Sequence, residues 1–239
     1  MEKEYLDDNV LVRLNKYLSD AGVCSRREAD RLIEQGKIYV DGKKAIVGQK
    51  VSNNQLIECD GKRISRENEF ILIAFNKPRG LICSTVDNEG KNIVDYINYG
   101  KRIYPIGRLD KESEGLILLT NDGEISDKIL RSRNNHEKEY IVTVDKNITD
   151  EFIKEMSSGV PILDVVTKKC KVEKIDSKTF RIILTQGLNR QIRRMCEYFG
   201  YKVKKLKRIR ILNIKLGNLP IGKYRNVTDR ELEILKKLL

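Results

Sequence analysis

Three short stretches of the chain combine residue types that could do chemistry. In the first, Gly107, Arg108 and Asp110 precede an apolar run, LILLT at 116–120, so they offer a guanidinium and a carboxylate in a loop at the mouth of a strand. Loops held on a rigid scaffold often carry functional residues. Glycine and aspartate are also ordinary turn residues, so these residues by themselves favour a plain turn with solvated charges over a site.

The second stretch is an arginine cluster, Arg190, Arg193 and Arg194, at the start of a predicted helix over 189–199 with Asn189 as its N-cap. Positive side chains in the first turn oppose the helix dipole, which favours acids there. They therefore need an external anion or an acidic partner, and this is the strongest indication of a site from residue types. The apolar stripe of this helix is Ile192, Cys196 and Phe199.

The third stretch is an alternating run in which Tyr140, Val142 and Val144 share one face of a predicted strand. A tyrosine on an inward face is more often part of the core than a catalyst. His136 precedes this strand, and we expect it at the surface.

The histidine and cysteine content limits the classes of site. His136 is the only histidine, which excludes a His-rich zinc site. The five cysteines, at 24, 59, 83, 170 and 196, form neither a C-x-x-C pair nor a disulfide framework, so we expect ordinary buried or half-buried thiols.

Positive charge is concentrated in one part of the chain. The 239 residues carry a formal net charge of +12, and residues 181–210 hold ten basic residues and one acidic residue, net +9. A concentration of one sign favours a polyanion as partner, and nucleic acid over a membrane surface, because no apolar face rich in Phe or Leu accompanies it. Residues 1–65 contribute only +1.

The N-terminal residues predict a small module of two helices and a hairpin. Leu11, Leu14, Tyr17 and Leu18 recur at helical spacing before Gly22, and Ser25-x-x-Glu28 predicts a capping box for a second helix that ends at Gly36. The apolar stripe of that second helix is Ala29, Leu32 and Ile33. The sequence Asp41-Gly42 between short apolar runs predicts a type I′ hairpin.

The rest of the chain alternates strands and helices irregularly, which favours an α+β domain with a mixed, mostly antiparallel sheet and flanking helices. We expect an N-terminal domain over 10–65, a charged linker over 61–69 and a larger domain over 69–239. The predicted strands are 70–76, 81–85, 116–120, 139–145, 165–174, 179–186 and 203–216, the last broken near Lys207. The predicted helices are 92–97, 124–131, 150–158, 189–199 and 229–239, the last with a capping box at Thr228 and Glu231.

Several longer segments resemble a known family. FNKPRGLICS, YPIGRLDKESEGLILLTNDGE, KEYIVTV and GLNRQIRRMCEYFGYKVKKLKRIRI are similar to segments of pseudouridine synthases of the RsuA/RluF type, closest to the branch that acts on large-subunit ribosomal RNA. RLNKYLSDAGVCSRREADRLIEQGKIYVDGKKA resembles the alpha-L RNA-binding domain. The resemblance spans about residues 11–238.

The resemblance implies isomerisation of uridine to pseudouridine within RNA, without a metal or other cofactor. It makes Asp110 the catalytic aspartate, as a nucleophile at the anomeric carbon or as a base on the sugar. Arg193 is the expected cationic partner of Asp110, and Tyr140 is the active-site tyrosine.

The resemblance also implies RNA contacts. Arg108 would fill the stack that the flipped-out target nucleotide leaves, and Arg190, Gln191 and Arg194 would bind RNA nearby. The basic helix face of the N-terminal module would grip structured RNA through Arg13, Lys16, Ser25, Arg26, Arg27 and Lys37; a merely solvated helix face is the alternative.

The expected partner is ribosomal RNA, with tRNA as a further substrate class, and we expect a monomer that does not bind membranes. The acidic start MEKEYLDD lacks the parts of a signal peptide, which favours the cytoplasm. The alternative function is a non-catalytic RNA-binding ribosome-assembly factor, which would have no need of Asp110, Tyr140 and Arg193 together. A metal-dependent nuclease is disfavoured by the lone histidine and the scattered acids.

Overall fold

The computed structural model describes residues 10–65, 69–84, 91–131 and 135–239. The chain divides into two units: the first comprises residues up to Ile71 with Tyr99–Ile103 and Asn121–Gly123, and the second holds the remainder. Two short segments of the predicted larger domain thus cluster with the first unit. The boundaries 10–65 and 69–239 stay a prediction.

The first unit contains two helices and short strands, as the sequence predicts. The helices bury Leu14, Leu18 and Ile33 against the strands. Asp41 and Gly42 both have positive φ, 50° and 75°, as a type I′ hairpin requires. The elements are β1 (Val12–Arg13), α1 (Leu14–Asp20), α2 (Arg26–Glu34), β2 (Ile38–Val40), β3 (Lys43–Lys44), β4 (Lys50–Val51), β5 (Ile57–Cys59) and β6 (Lys62–Arg63).

Three details of the first unit differ from the sequence prediction. The hairpin is part of a four-stranded sheet, β3-β2-β5-β6 in the described residues, so β6 occupies the start of the predicted linker. Leu11 is exposed and precedes the first helix. Ser25 does cap α2 by accepting from the Glu28 N–H at 3.2 Å, but the Glu28 carboxylate pairs with Arg31, so only half of the predicted box forms.

The second unit is built on a mixed sheet. In the described part of the chain its path is β13-β14-β10-β15-β9-β7-β17, with β16 on β15 and β8 on β9. Every pair is antiparallel except β15 with β9. The elements are β7 (Leu72–Lys77), α3 (Ile93–Ile97), β8 (Tyr104–Pro105), β9 (Glu114–Thr120), α4 (Gly123–Leu130), β10 (Lys138–Val144), α5 (Asp150–Ser158), β11 (Pro161–Ile162), β12 (Val165–Val166), β13 (Lys171–Lys174), β14 (Thr179–Leu184), α6 (Gln191–Tyr198), β15 (Val203–Ile211), β16 (Ile214–Lys215), β17 (Tyr224–Asn226) and α7 (Asp229–Leu238).

The continuous apolar runs of the sequence are the strands β7 and β9, which are buried along almost their whole length. Beside them, α5 and α6 pack on the face of β10 that carries Val142 and Val144. The Thr228–Glu231 capping box forms in both directions at the start of α7. The mixed, mostly antiparallel sheet with flanking helices confirms the predicted α+β class.

The strand predictions fail where a turn interrupts an apolar run. Residues 81–84 form only an isolated bridge between Ile82 and Asn92, and residue 85 lies outside the described residues. The predicted strand 165–174 is two strands, β12 and β13. Strand β15 continues unbroken through Lys207, and the break comes at Leu212, whose φ is 50°.

Part of the positive charge in residues 181–210 is neutralised on the face of the sheet opposite Val142 and Val144. Arg181 bridges Glu173 at 2.9 Å and Glu139 at 3.2 Å, and Arg210 bridges Glu139 at 2.6 Å and Glu137 at 2.8 Å. These five side chains join four neighbouring strands by alternating charges. Arg181 and Arg210, two of the ten basic residues in this window, are therefore committed to ion pairs on this face.

The prediction for His136 is wrong. Its side chain is only 4% exposed, and Nδ1 lies 3.0 Å from the carbonyl oxygen of Ile129 at the end of α4. The residue fastens the segment before β10 to that helix. The cysteines are buried or half-buried and unpaired, as expected.

Candidate active site

The loop that carries Asp110 joins β8 to β9, and buried side chains hold its backbone. Lys77, at the end of β7, is fully buried, and its Nζ donates to the carbonyls of Ser113 at 2.8 Å and Pro78 at 3.0 Å. The carbonyls of Asp110 and Lys111 lie at 3.3 and 3.4 Å from the same atom. Burial lowers the pKa of Lys77, and this ring of carbonyl dipoles stabilises its charge.

Two further contacts fix the conformation of this loop. The Leu109 N–H points to the Cys83 Sγ at 3.4 Å, and the Ser113 N–H donates to the Asp110 carbonyl at 2.9 Å. The Asp110 side chain itself is 32% exposed. A rigid backbone therefore presents a carboxylate that a substrate can reach.

The structure places Arg193 next to Asp110, the pairing that the family resemblance implies. Arg193 Nε lies 3.6 Å from Asp110 Oδ2, and the Arg193 side chain is only 9% exposed. Its Nη2 donates to Ser113 Oγ at 3.2 Å and approaches the Glu112 carbonyl at 3.4 Å. Burial lowers the pKa of Arg193, and the Asp110 charge acts in the opposite direction. The buried guanidinium thus places a positive charge beside the Asp110 carboxylate.

The other members of the arginine cluster behave differently. The helix α6 begins at Gln191, after Arg190, which has a φ of 51° and no capping side chain. Asn189 therefore does not cap the helix: its Oδ1 and carbonyl oxygen accept from Arg194 at 3.3 and 3.1 Å. Arg190 is exposed. Of the three arginines, Arg193 pairs with an acidic residue, Asp110, and Arg190 is exposed to solvent.

The Gln191 side chain is not accessible for a contact with RNA. It is buried, its Oε1 accepts from the Leu188 N–H at 3.0 Å, and its Nε2 points to the Met195 sulfur at 3.8 Å. The amide group is already used to start the helix. The assignment of Gln191 to RNA binding is therefore corrected to a structural role.

Tyr140 belongs to a row of residues that crosses four strands. Strand register places Lys77 opposite Gly115, Gly115 opposite Arg208, and Arg208 opposite Tyr140. Opposed residues present their side chains on the same face, so Tyr140 shares the face of Lys77 and is about 10 Å, two strand spacings, from Gly115 along this row. The Tyr140 side chain is half-buried against the core.

Arg208 is a part of this row that residue patterns did not reveal. It is only 3% exposed, its Nε donates to the Leu116 carbonyl at 2.7 Å, and its guanidinium carbon lies 6.0 Å from the Tyr140 ring centroid. Its Nη2 is buried without a hydrogen-bond partner within the described residues. The Arg208 charge adds to burial in lowering the pKa of Lys138. The Arg208 guanidinium thus places a buried positive charge beside the Tyr140 ring.

Arg79 also supports the loop and was not predicted. Its Nε donates to the Glu112 carbonyl and its Nη2 to the Lys204 carbonyl, both at 3.0 Å, so it ties the loop to the start of β15. The signal for Lys77 and Arg79 was the charged pair that follows a buried apolar run in FNKPRG. Nothing local in the sequence indicated Ser113 or Arg208.

The remaining predicted RNA contacts lie mostly at the surface. Arg108 is exposed beside Asp110. In the first unit, Arg13, Arg26, Arg27 and Lys37 are exposed. Lys16 is half-buried and paired with Asp20, and the Ser25 hydroxyl is occupied as the cap of α2. Four of these six residues thus present exposed basic groups.

The ranges 10–65, 69–84, 91–131 and 135–239 hold no group of three or more His, Cys, Asp or Glu side chains placed to bind a metal ion. No helix among these residues has the length and apolar character that crossing a membrane demands.

Comparison with known protein families identifies two matches along the chain. Residues 71–198 match the model of the RNA pseudouridylate synthase family, and residues 12–57 match the S4 domain. A solved structure described as a pseudouridylate synthase superposes with a TM-score of 0.69 at 28% identity, covering 94% of this chain and 99% of that one.

Two curated relatives cover most of the chain. The dual-specificity RNA pseudouridine synthase RluF of Escherichia coli K12 is 59% identical over 230 residues, 95% of this chain and 79% of that protein. The ribosomal large subunit pseudouridine synthase B of Bacillus subtilis is 36% identical over 235 residues, 95% of this chain and 96% of that protein. The chain therefore belongs to the RNA pseudouridine synthase family, with an S4 domain at its N-terminal end.

Proposed function

We propose that this enzyme converts a specific uridine of large-subunit ribosomal RNA to pseudouridine, with Asp110, Arg193 and Tyr140 as its catalytic residues. The observation that carries the proposal is the accessible Asp110 carboxylate, 3.6 Å from the buried Arg193 guanidinium, on a loop whose carbonyls Lys77 holds. A protein that only binds RNA gains nothing from a buried cation aimed at one loop carboxylate. The enzyme is therefore favoured over an assembly factor.

The reaction is an isomerisation, so atoms and electrons balance without a co-reactant. The bond between the sugar C1′ and uracil N1 breaks, a bond from C1′ to uracil C5 forms, and the proton on C5 is replaced by one on N1. The Asp110 carboxylate either attacks C1′ or removes a proton from the sugar. Both routes need its ionised form, which Arg193 stabilises at close range in a partly dry site.

The target base must leave its helix before Asp110 can reach the sugar, because a stacked nucleotide is inaccessible. The exposed Arg108, two residues before Asp110, fits the gap left by the extruded base. Arg190 and Arg194 lie at the start of α6 and supply positive charge for nearby phosphates. Tyr140 contributes a ring for stacking and a hydroxyl for proton transfer.

The proposed substrate rests on the relatives and on the charge distribution. The Bacillus subtilis relative is named for the large ribosomal subunit, and the Escherichia coli relative is named dual-specificity. We infer ribosomal RNA as the first substrate, a tRNA as the second substrate class, and a cytoplasmic monomer as the working form. Assaying both RNA classes, with size-exclusion chromatography for the monomer, tests these inferences.

We propose that the S4 domain docks the RNA through the exposed side chains of Arg13, Arg26, Arg27 and Lys37, because proteins recognise structured RNA largely through contacts to its backbone. Removing residues 1–65 is expected to weaken binding of ribosomal RNA while the remaining protein keeps its helical and strand content by circular dichroism. Loss of that folded signal would instead make the domain a structural support.

The decisive experiment measures tritium release from RNA labelled at uridine C5. The purified full chain should release tritium from large-subunit RNA, and Asp110→Asn should abolish release with unchanged RNA affinity. Asp127→Asn, which alters an exposed ion pair with Arg131 on α4, is the matched control and should keep full activity. Retained release in Asp110→Asn would overturn the catalytic assignment.

Arg193→Ala and Arg190→Ala separate the two arginine roles. The first should stop turnover, because Asp110 loses its buried partner, whereas the second should chiefly weaken RNA binding. Equal loss of turnover in both variants would show that Arg193 is not the specific functional partner of Asp110.

A further inference from the structure

Ser113 is the buried last residue of the Asp110 loop, directly before β9, and all three of its polar groups are engaged. It is only 1% exposed. Its N–H donates to the Asp110 carbonyl at 2.9 Å, its carbonyl accepts from Lys77 Nζ at 2.8 Å, and its Oγ accepts from Arg193 Nη2 at 3.2 Å. One residue thus touches the backbone of the candidate nucleophile and the guanidinium beside it.

The Ser113 hydroxyl is the nearest acceptor for Arg193 among the described contacts. Arg193 Nε is 3.6 Å from Asp110 Oδ2, beyond hydrogen-bond distance, and Nη2 is 3.4 Å from the Glu112 carbonyl. Nε makes no hydrogen bond within the described residues. The ion pair with Asp110 alone therefore does not fix the guanidinium plane, and a directional contact at Nη2 does.

We propose that Ser113 is a positioning residue for the isomerisation, whose hydroxyl sets the orientation of Arg193 against the Asp110 carboxylate. The inference rests on the proposed function. The Ser113 N–H also donates to the Asp110 carbonyl, so the Ser113 hydroxyl and the Asp110 carboxylate belong to one rigid turn. The turn that positions Asp110 therefore also orients Arg193, through the Ser113 hydroxyl. A small displacement of a catalytic group costs rate strongly.

Loss of one hydrogen bond to a charged group predicts a decrease in kcat of about 10- to 100-fold for Ser113→Ala. KM for RNA should change less than about twofold, because a side chain this buried cannot touch the RNA. Ser113→Thr keeps the hydroxyl and should retain most of the rate. A purely structural role would lower the melting temperature and leave kcat intact.

The test measures tritium release under saturating and limiting RNA for the wild type, Ser113→Ala, Ser113→Thr and Ser126→Ala. Ser126, a buried serine of α4, is the matched control and should retain wild-type kcat. Wild-type kcat in Ser113→Ala overturns the proposal. An inactive wild type would overturn the proposed function instead, so the two failures are distinguishable.

A double-variant comparison shows whether Ser113 acts through Arg193. Arg193→Lys keeps the charge but loses the planar fork that Ser113 orients. In the Arg193→Lys background, adding Ser113→Ala should lower kcat by less than about threefold, because the orientation is already lost. If the two changes multiply in full, Ser113 acts independently of Arg193 and the proposal is wrong. This comparison decides the matter even if Ser113→Thr fails to fold.

Discussion

Replacing Gly115 by alanine should push apart β9 and β15, two of the four strands that the row from Lys77 to Tyr140 crosses. Gly115 has a φ of 104°, and an added Cβ would lie 2.2 Å from the Arg208 carbonyl oxygen and 2.8 Å from the Arg208 nitrogen. Ordinary contact begins at 3.4 Å, so β9 and β15 would have to move apart by more than 1 Å. Neither backbone can rotate out of the way as a side chain would.

The magnitude follows from two costs. A non-glycine residue at this φ costs about 1–3 kcal/mol, and weakening the parallel pairing at Gly115 and Arg208 adds about 1–2 kcal/mol of lost backbone hydrogen bonding. A total of about 4 kcal/mol lowers the melting temperature by about 8–16 °C for a chain of this size.

Thermal unfolding followed by circular dichroism measures the change. Gly187→Ala is the matched control, because Gly187 has no positive φ and an added Cβ would meet no described atom within 4 Å beyond its two chain neighbours. Its melting temperature should stay within about 1 °C of wild type. Tritium release should fall in Gly115→Ala, because less of that protein is folded, and should stay at the wild-type level in Gly187→Ala. A Gly115→Ala protein that melts with the wild type would refute the close approach of these strands.

Three further changes test the loop, the tyrosine and the last helix. Lys77→Met removes the donor to the Ser113 and Pro78 carbonyls and should cut turnover at least about tenfold with little change in KM; unchanged kcat in tritium release would contradict a role in holding the loop. Tyr140→Phe should lower kcat but not RNA affinity in filter binding if the hydroxyl moves a proton, and equal rates would leave the ring alone with a role. Hydrogen bonds from Arg225 lower the pKa of Glu231, so this pair stabilises the folded chain above the unfolded glutamate pKa of about 4.3 and the contribution is lost as pH falls below it. The gap in melting temperature between wild type and Glu231→Gln should therefore be full at pH 7 and shrink toward pH 3, whereas a constant gap would argue against the ion pair.

Elements whose burial follows a local pattern could be predicted from the sequence alone. Continuous apolar runs predicted β7 and β9, alternation predicted the inward face of β10, and Thr228-x-x-Glu231 predicted the start of α7. Such patterns are reliable because they report which face of one helix or strand meets the core. The motif resemblance then named Asp110 and Arg193, which the structure places 3.6 Å apart.

The contacts between these elements at the site depend on tertiary structure. The Lys77–Ser113 and Ser113–Arg193 contacts join residues 36 and 80 positions apart. The first forms because β7 pairs with β9 and places Lys77 opposite Gly115, and the second forms because α6 brings Arg193 against the loop that precedes β9. Local periodicity carries no information about which strands become neighbours, so Ser113 and Arg208 were missed. For the same reason local pattern predicts His136 at the surface, whereas its packing against α4 encloses it. The assignment of Gln191 to RNA comes from the motif resemblance, and only the turn before α6 shows that its amide group is enclosed.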